Sequence, residues 1–202
     1  MKKIVTILIV VACMATKFVD ILQSLGINKT EAEQNIWEVL AEKAFISQDK
    51  EAIVKKARKL STDMQVKGVK ELFAISKEYF NSTDFLASYK KKREEQEAAM
   101  LESMPQLTKA QLQQQIKESK AQGIEIDYYP ENSKELIKDR LKYFIELSST
   151  VDFSAKTQGS RKTFVNPEYE EKPSDWKMCY RAGKEVIEAA RQEAQRWLNE
   201  MH

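Results

Sequence analysis

The scarcity of residues that interrupt helices constrains the fold of this chain more than any other feature. Its 202 residues include only five glycines and four prolines. Ala, Glu, Gln, Lys and Leu, which have high helix propensity, dominate the rest. The single strand-like stretch is Ile124–Pro130, and one strand without a partner cannot form a sheet. We therefore expect an all-α fold, an irregular bundle of about seven helices, with Ile124–Pro130 as an extended connector.

Several helix ends can be placed from capping patterns. Gly26 is predicted to end a first helix over residues 16–25, because glycine is favoured just beyond a helix C-terminus. Thr30 with Glu33 and Thr108 with Gln111 match the capping box, in which the first residue and the fourth exchange hydrogen bonds. Gly123 is predicted to end the helix that Thr108 begins.

The last helix and the segment before it differ sharply in pattern. Residues 149–174 carry no helix signal, although loops this long are uncommon inside compact domains. Scattered large apolar residues predict that the loop packs along the helices. Ser174 is predicted to be the N-cap of the final helix. The helix is expected to run through Gly183 to Met201, because apolar residues recur there every three or four positions.

The run Lys90–Glu97 contains no apolar residue. Three oppositely charged pairs are spaced i,i+4 within it: Lys90 with Glu94, Lys91 with Glu95, and Arg93 with Glu97. This pattern favours a solvated helix that projects from the fold or bridges its parts over a charged patch for a partner.

The N-terminus resembles a secretory signal peptide. Lys2 and Lys3 precede an apolar run, Ile4–Ala12, which is too short to span a membrane. Its side chains point all round a helix and leave no polar face. We expect residues 1–15 to be a leader cut after Ala15, and residues 16–202 to form a single helical domain. Membrane contact is expected only through the leader or a lipid anchor.

A second mode of cleavage is equally compatible with this leader. Val10-Val11-Ala12-Cys13 resembles a bacterial lipobox, with Val in the position that Leu more often takes. In that interpretation Cys13 is the lipidated first residue of the mature protein. The expected location is the periplasm in the first case and a membrane-anchored lipoprotein in the second.

The composition argues against several classes of function. The chain has 33 basic and 31 acidic residues, and removal of Lys2 and Lys3 makes the mature protein neutral, which disfavours nucleic-acid binding. The one histidine is the terminal His202, so catalytic triads and most zinc sites lack their usual residues. Neither a metal nor a cofactor is expected. Cys179 lies on the apolar face of the last helix and is predicted to be a buried, inert thiol.

A candidate binding site combines the long loop with the last helix. Its residues offer positive charge, hydrogen bonds and an aromatic wall, which suit a small anion or a glycan; they are Arg161, Lys162, Asn166, Tyr169, Trp176 and Arg181. The competing interpretation is a solvated helix face whose basic side chains pair with nearby acids.

Three functional hypotheses follow. The first is an exported, non-catalytic protein of the bacterial cell envelope that binds a ligand or another envelope protein. The second is a carboxylate-based hydrolase whose cleft includes the 150–174 loop; its catalytic carboxylate should have a raised pKa. The third, a helical subunit of an envelope complex, predicts an exposed apolar patch of several hundred Å².

Overall fold

A computed structural model of the chain describes residues 22, 25–40, 48–124, 128–159 and 163–201. The predicted leader, Cys13, Arg161 and Lys162 lie outside these residues. So does most of the predicted first helix, of which Leu22 and Leu25 are described and buried. The structure is 74% helical, which confirms the all-α prediction.

Eight α-helices lie in the described ranges, together with two very short strands and one 3-10 turn. In chain order they are α1 Lys29–Leu40, α2 Gln48–Ala57, α3 Thr62–Phe80, α4 Thr83–Ser103, α5 Lys109–Ala121, α6 Ser133–Ser149, β1 Thr157–Gln158, β2 Thr163–Phe164, the 3-10 turn Pro167–Tyr169, α7 Ser174–Ala182 and α8 Lys184–Glu200.

The helix ends show where capping patterns succeed and where they fail. Gly26 has φ 72°, and the amide of Ile27 donates to the Leu22 carbonyl at 2.8 Å, the hydrogen bond that closes a Schellman C-terminus. The capping box of Thr108 with Gln111 is also present. At α1, however, the amides and side chains of Asn28 and Glu31 exchange the hydrogen bonds, at 2.7 and 3.0 Å. The Thr30–Glu33 prediction was therefore two residues late.

The core forms where α8 packs against α3 and α6. On α8 the buried residues Val186, Ala190, Ala194 and Trp197 recur every three or four positions, so they share one face. Two of these four residues are alanines, whose small side chains leave room on this face for the neighbouring helices. The ring of Trp197 lies edge-on to Phe73 and Phe80 of α3, with centroids 6.2 and 6.0 Å apart.

Helices α4 and α5 form a hairpin held by a buried acid. Lys90–Glu94 and Lys91–Glu95 are present as predicted, each at 3.9 Å. Glu97 instead forms its ion pair with Lys109 of α5, at 2.6 Å. The prediction of a solvated run was therefore wrong at Glu97, which faces the other helix and is only 4% exposed.

The connector before α6 is anchored by tyrosines. The Tyr89 hydroxyl donates to the Pro130 carbonyl at 2.6 Å, and the Tyr89 and Tyr129 rings meet edge to face. The amide of Tyr129 donates to the side-chain oxygen of Gln96. Residues 125–127 of this predicted connector lie outside the described residues.

The predicted final helix is two helices. Gly183 separates α7 from α8 with φ 92° and ψ 157°, a backbone conformation that no α-helix contains. Apolar spacing alone did not reveal this break, because residues on both sides keep the same three- and four-residue steps. The predicted N-cap, Ser174, is instead the first residue of α7. Pro173 takes the cap position, and no side chain caps the helix.

Candidate functional site

The long loop docks on α7 through a cluster of aromatic rings. Strands β1 and β2 pair antiparallel, with Thr157 opposite Phe164. This pairing presents Phe164 to α7, where its ring centroid lies 4.7 Å from that of Tyr180 and 5.8 Å from that of Trp176. Tyr169, from the 3-10 turn, stacks on Trp176 at 5.3 Å and 19°. The predicted packed loop is therefore attached to the helix by ring contacts.

Trp176 is the centre of this cluster. It is 1% exposed, and its indole N–H donates to the Thr150 carbonyl at 3.1 Å. Burial of so large a side chain contributes about 1.5–3 kcal/mol, and the hydrogen bond satisfies its one polar group. In this arrangement the ring faces protein atoms on both sides.

Asp152 holds two parts of the loop together through hydrogen bonds. Its carboxylate accepts hydrogen bonds from the Tyr169 hydroxyl at 2.6 Å, the Ser154 hydroxyl at 2.6 Å and the Ser154 amide at 2.9 Å. These hydrogen bonds lower the pKa of Asp152 by stabilising its charged form. The Ser154 hydroxyl has the largest effect, and the Tyr169 hydroxyl the next largest. The same hydrogen bond raises the pKa of Tyr169.

Glu170 joins the loop to α7. Its carboxylate accepts a hydrogen bond from the Phe164 amide at 2.6 Å and lies 3.1 Å from the Lys177 ammonium. The Phe164 amide and then Lys177 lower the pKa of Glu170, with a smaller contribution from the charge of Arg181. Both of these loop carboxylates are therefore held ionised.

The residues of the loop site predicted from sequence take different positions. Tyr169 and Trp176 are in contact, while Asn166 is exposed and caps the 3-10 turn by accepting from the Glu168 amide at 3.0 Å. Arg181 is exposed in the last turn of α7. Because Arg161 and Lys162 lie outside the described residues, the anion or glycan site stays a prediction.

A groove formed by other helices is a second candidate, which the sequence did not suggest. It has a volume of about 480 Å³ and runs between α1 and α4, with Tyr79 of α3 between them. Its lining residues are Thr30, Glu33, Gln34, Trp37, Tyr79, Asp84, Ser88, Lys91, Lys92 and Glu95. Volumes of 300–1,000 Å³ are typical of small-molecule sites.

Each wall of the groove is a helical stripe. Thr30, Glu33, Gln34 and Trp37 recur at three- and four-residue steps on α1, and the α4 residues do the same between Asp84 and Glu95. The groove therefore depends on two polar stripes facing each other across a gap. On α4 that stripe includes Lys91, Lys92 and Glu95 of the charged run, for which a solvated helix was favoured over a patch for a partner.

Two half-buried aromatic rings line the groove, and both contact a third ring that is buried. Trp37 and Tyr79 both lie edge to face on Phe85, with centroids 5.5 Å from it in each case. Phe85 is fully buried. Burial raises the pKa of Tyr79, and the charges of Glu33 and Asp84 raise it further. The groove thus offers ring surface, neutral polar groups and carboxylates together.

The chain matches no protein-family model, no curated protein and no solved structure. Within the described ranges, no helix combines the length and apolar character needed to cross a membrane. The same residues contain no group of three or more His, Cys, Asp or Glu side chains placed to hold a metal ion.

Proposed function

We propose that this chain is an exported, non-catalytic binding domain of the bacterial cell envelope, with the groove between α1 and α4 as its binding surface. The observation that carries the proposal is the groove itself, since it joins two accessible aromatic rings to neutral hydrogen-bonding groups and charges of both signs. Concave sites with a few convergent polar groups are the usual form of small-molecule sites.

Export is supported by the N-terminal sequence. Lys2 and Lys3 followed by the nine-residue apolar run Ile4–Ala12 have the arrangement of a signal peptide. The expected location is the periplasm, or the membrane surface if Cys13 is lipidated.

The hydrolase alternative is less well supported. A general acid needs a carboxyl whose pKa is raised, so that it holds a proton near neutral pH. In the 150–174 loop, the pKa values of Asp152 and Glu170 are both lowered by hydrogen bonds. These two groups are therefore unsuited to donate a proton.

Export is tested at the N-terminus of the protein purified from an expressing bacterium. Mass spectrometry is expected to find either a chain that begins at Thr16 or one that begins at an acylated Cys13. A Cys13→Ser variant separates the two, because it abolishes only the lipoprotein form. A chain that retains Met1–Ala15 and stays inside the cell contradicts the export proposal.

The groove is tested by filling it. Ser88 is exposed on the α4 wall, so Ser88→Trp places a large ring in the groove without disturbing the core. Gln113→Trp on α5 is the matched control, because it also converts an exposed neutral helix residue to Trp. Ligand-observed NMR against mixtures of amines, amino acids and sugars should detect binding that Ser88→Trp abolishes and Gln113→Trp preserves. If both variants lose ligand binding equally, or if neither variant loses it, the proposal is contradicted.

A further inference from the structure

The walls of the groove favour one class of ligand. We infer that the groove between α1 and α4 binds an organic cation, an ammonium or guanidinium group, against the rings of Trp37 and Tyr79 and beside the carboxylate of Asp84. This inference rests on the proposed function, because it names the ligand class of the same groove.

The aromatic rings are positioned before any ligand arrives. Phe85 is fully buried and contacts both Trp37 and Tyr79, at interplanar angles of 72° and 80°. Both outer rings remain partly exposed. Tryptophan is the strongest aromatic partner of a cation, and an ammonium or guanidinium group is attracted when it lies within about 6 Å of a ring centroid.

Two carboxylates, those of Glu33 and Asp84, act on Tyr79. Its hydroxyl makes no hydrogen bond with any residue that the structure describes, so it remains available to a ligand. Burial has the larger effect in raising the pKa of Tyr79, and the charges of Glu33 and Asp84 raise it further. Both carboxylates therefore lie close enough to act on this hydroxyl. A cation is stabilised in such a place, whereas an anion is repelled.

Asp84 is the carboxylate left for a ligand. It forms no ion pair with the described residues. Glu33 lies 3.8 Å from the Lys29 ammonium, but that ammonium is 2.7 Å from Glu78 and so is shared. Asp84 lies in the first turn of α4, whose positive helix end favours its charge, but unlike Glu33 it has no described lysine or arginine as an ion-pair partner.

The lysines of the groove stand apart from Asp84. Lys91 and Lys92 are seven and eight residues further along α4, which places them about 11 Å away along the helix axis. Lys91 also lies 3.9 Å from Glu95. The end of the groove that holds the aromatic rings and Asp84 is consequently acidic, and the volume of about 480 Å³ admits an organic group together with its substituents.

The experiment compares a cation with a neutral molecule of the same shape. Choline and 3,3-dimethylbutan-1-ol differ only in the charged nitrogen, and acetyl-Gly-Lys-Gly-amide is paired in the same way with its norleucine counterpart. NMR titration of the full chain should show saturable binding of a cationic probe, with its protons shifted upfield by the aromatic rings. Binding by choline identifies a free small cation, and binding by the lysine peptide alone identifies a basic side chain.

Asp84→Asn is the test variant and Asp63→Asn its control. Both aspartates lie in the first turn of a helix capped by serine, Ser82 and Ser61 respectively, so both variants lose the same favourable charge at a helix N-terminus. Only Asp84→Asn should weaken the cationic probe, by about three- to tenfold. Equal weakening in the two variants overturns the inference.

Failure of this inference can be told apart from failure of the proposed function. The neutral isostere could bind as tightly as the cation, or N-acetylglucosamine could be the one probe whose binding Ser88→Trp abolishes. Either result means that the inferred ligand class is wrong while the groove remains a binding site. If neither the cationic nor the neutral probes bind in the groove, both proposals are wrong.

Discussion

At the scale of single residues, environment decides what each polar group can do. Asp152 and Asp84 are both aspartates near a tyrosine, yet their surroundings differ. Asp152 accepts three hydrogen bonds within its own loop, whereas no described residue forms an ion pair with Asp84. The first is committed to holding the loop in place, and the second is available to a ligand.

Cys179 should be chemically inert in the folded protein. It is fully buried, and burial, followed by the charge of Asp175, raises the pKa of its thiol to about 12. At pH 8 the nucleophilic thiolate is therefore almost absent. In a Cys13→Ser variant, which leaves Cys179 as the sole cysteine, a disulfide reagent should label the native protein negligibly and the urea-unfolded protein fully.

An accessible thiol serves as the control for that experiment. Ala98 is exposed on α4, so Ala98→Cys in the same background should be labelled within minutes. Rapid labelling of Cys179 under native conditions would contradict the buried position.

The stability contributed by Asp152 should depend on pH. Its folded pKa is below the unfolded value of about 3.9, so the contribution is present above that value and is lost as pH falls through the folded pKa. Asp152→Asn should lower the urea midpoint at pH 7, and the difference from the wild type should shrink as the pH falls below the unfolded pKa of about 3.9. Asp139→Asn, which alters an exposed residue of α6, should show no such pH-dependent loss. A constant difference for Asp152→Asn at every pH is the contrary result.

At the scale of elements, Gly183 turns one predicted helix into two. Its φ and ψ fall in a region that is essentially restricted to glycine. A Cβ added there meets no atom within 4 Å, so the cost of a side chain is entirely backbone strain. The break lets α7 hold the loop while α8 packs in the core.

Gly183→Ala should destabilise the protein by about 1–3 kcal/mol. Urea unfolding monitored by circular dichroism measures the change. Gln192→Ala, at an exposed position of α8, should stay within about 0.5 kcal/mol of the wild type. A more stable Gly183→Ala variant would mean that α7 and α8 can merge into one continuous helix.

Helix ends and very short strands differ in how far sequence predicts them. The Gly26 stop and the Thr108–Gln111 capping box were confirmed because both are local, made within a few residues of the chain. Strands β1 and β2 have two residues each and no alternation that marks a strand. Their pairing accompanies the contact of Phe164 with α7, which the sequence of the loop does not mark.

At the scale of the whole molecule, stability depends most on the contact of α8 with α3. Trp197 is 3% exposed and lies against Phe73 and Phe80. Trp197→Ala should cost about 3–5 kcal/mol, because it leaves a cavity that rigid neighbouring helices fill only in part. Urea unfolding should show the loss. Leu86→Ala, which shortens an apolar side chain that is 48% exposed, should change stability little; a similar cost for both variants would contradict this account.

The candidate groove also belongs to the whole molecule. Trp37 and Tyr79 are 42 residues apart in sequence, and each lies among apolar neighbours that predict a core position. Only the packing of α1, α3 and α4 around Phe85 leaves part of both rings exposed beside Asp84. Sequence periodicity assigns a residue to a helix face, but it does not say which faces will remain apart.

The sequence by itself determined the all-α class, the scarcity of breaks, several helix ends, the charged surface of α4 and the buried position of Cys179. Each of these depends on interactions within a few turns of one helix or on the polarity of one helical face. Tertiary structure alone decided the partner of Glu97, the break at Gly183, the small ladder in the loop and the groove. The partner of Glu97 and the groove arise between different helices, where contact follows from packing and no local preference specifies it. The ladder and the Gly183 break are short-range in sequence, but they lie where the loop and α8 meet α7.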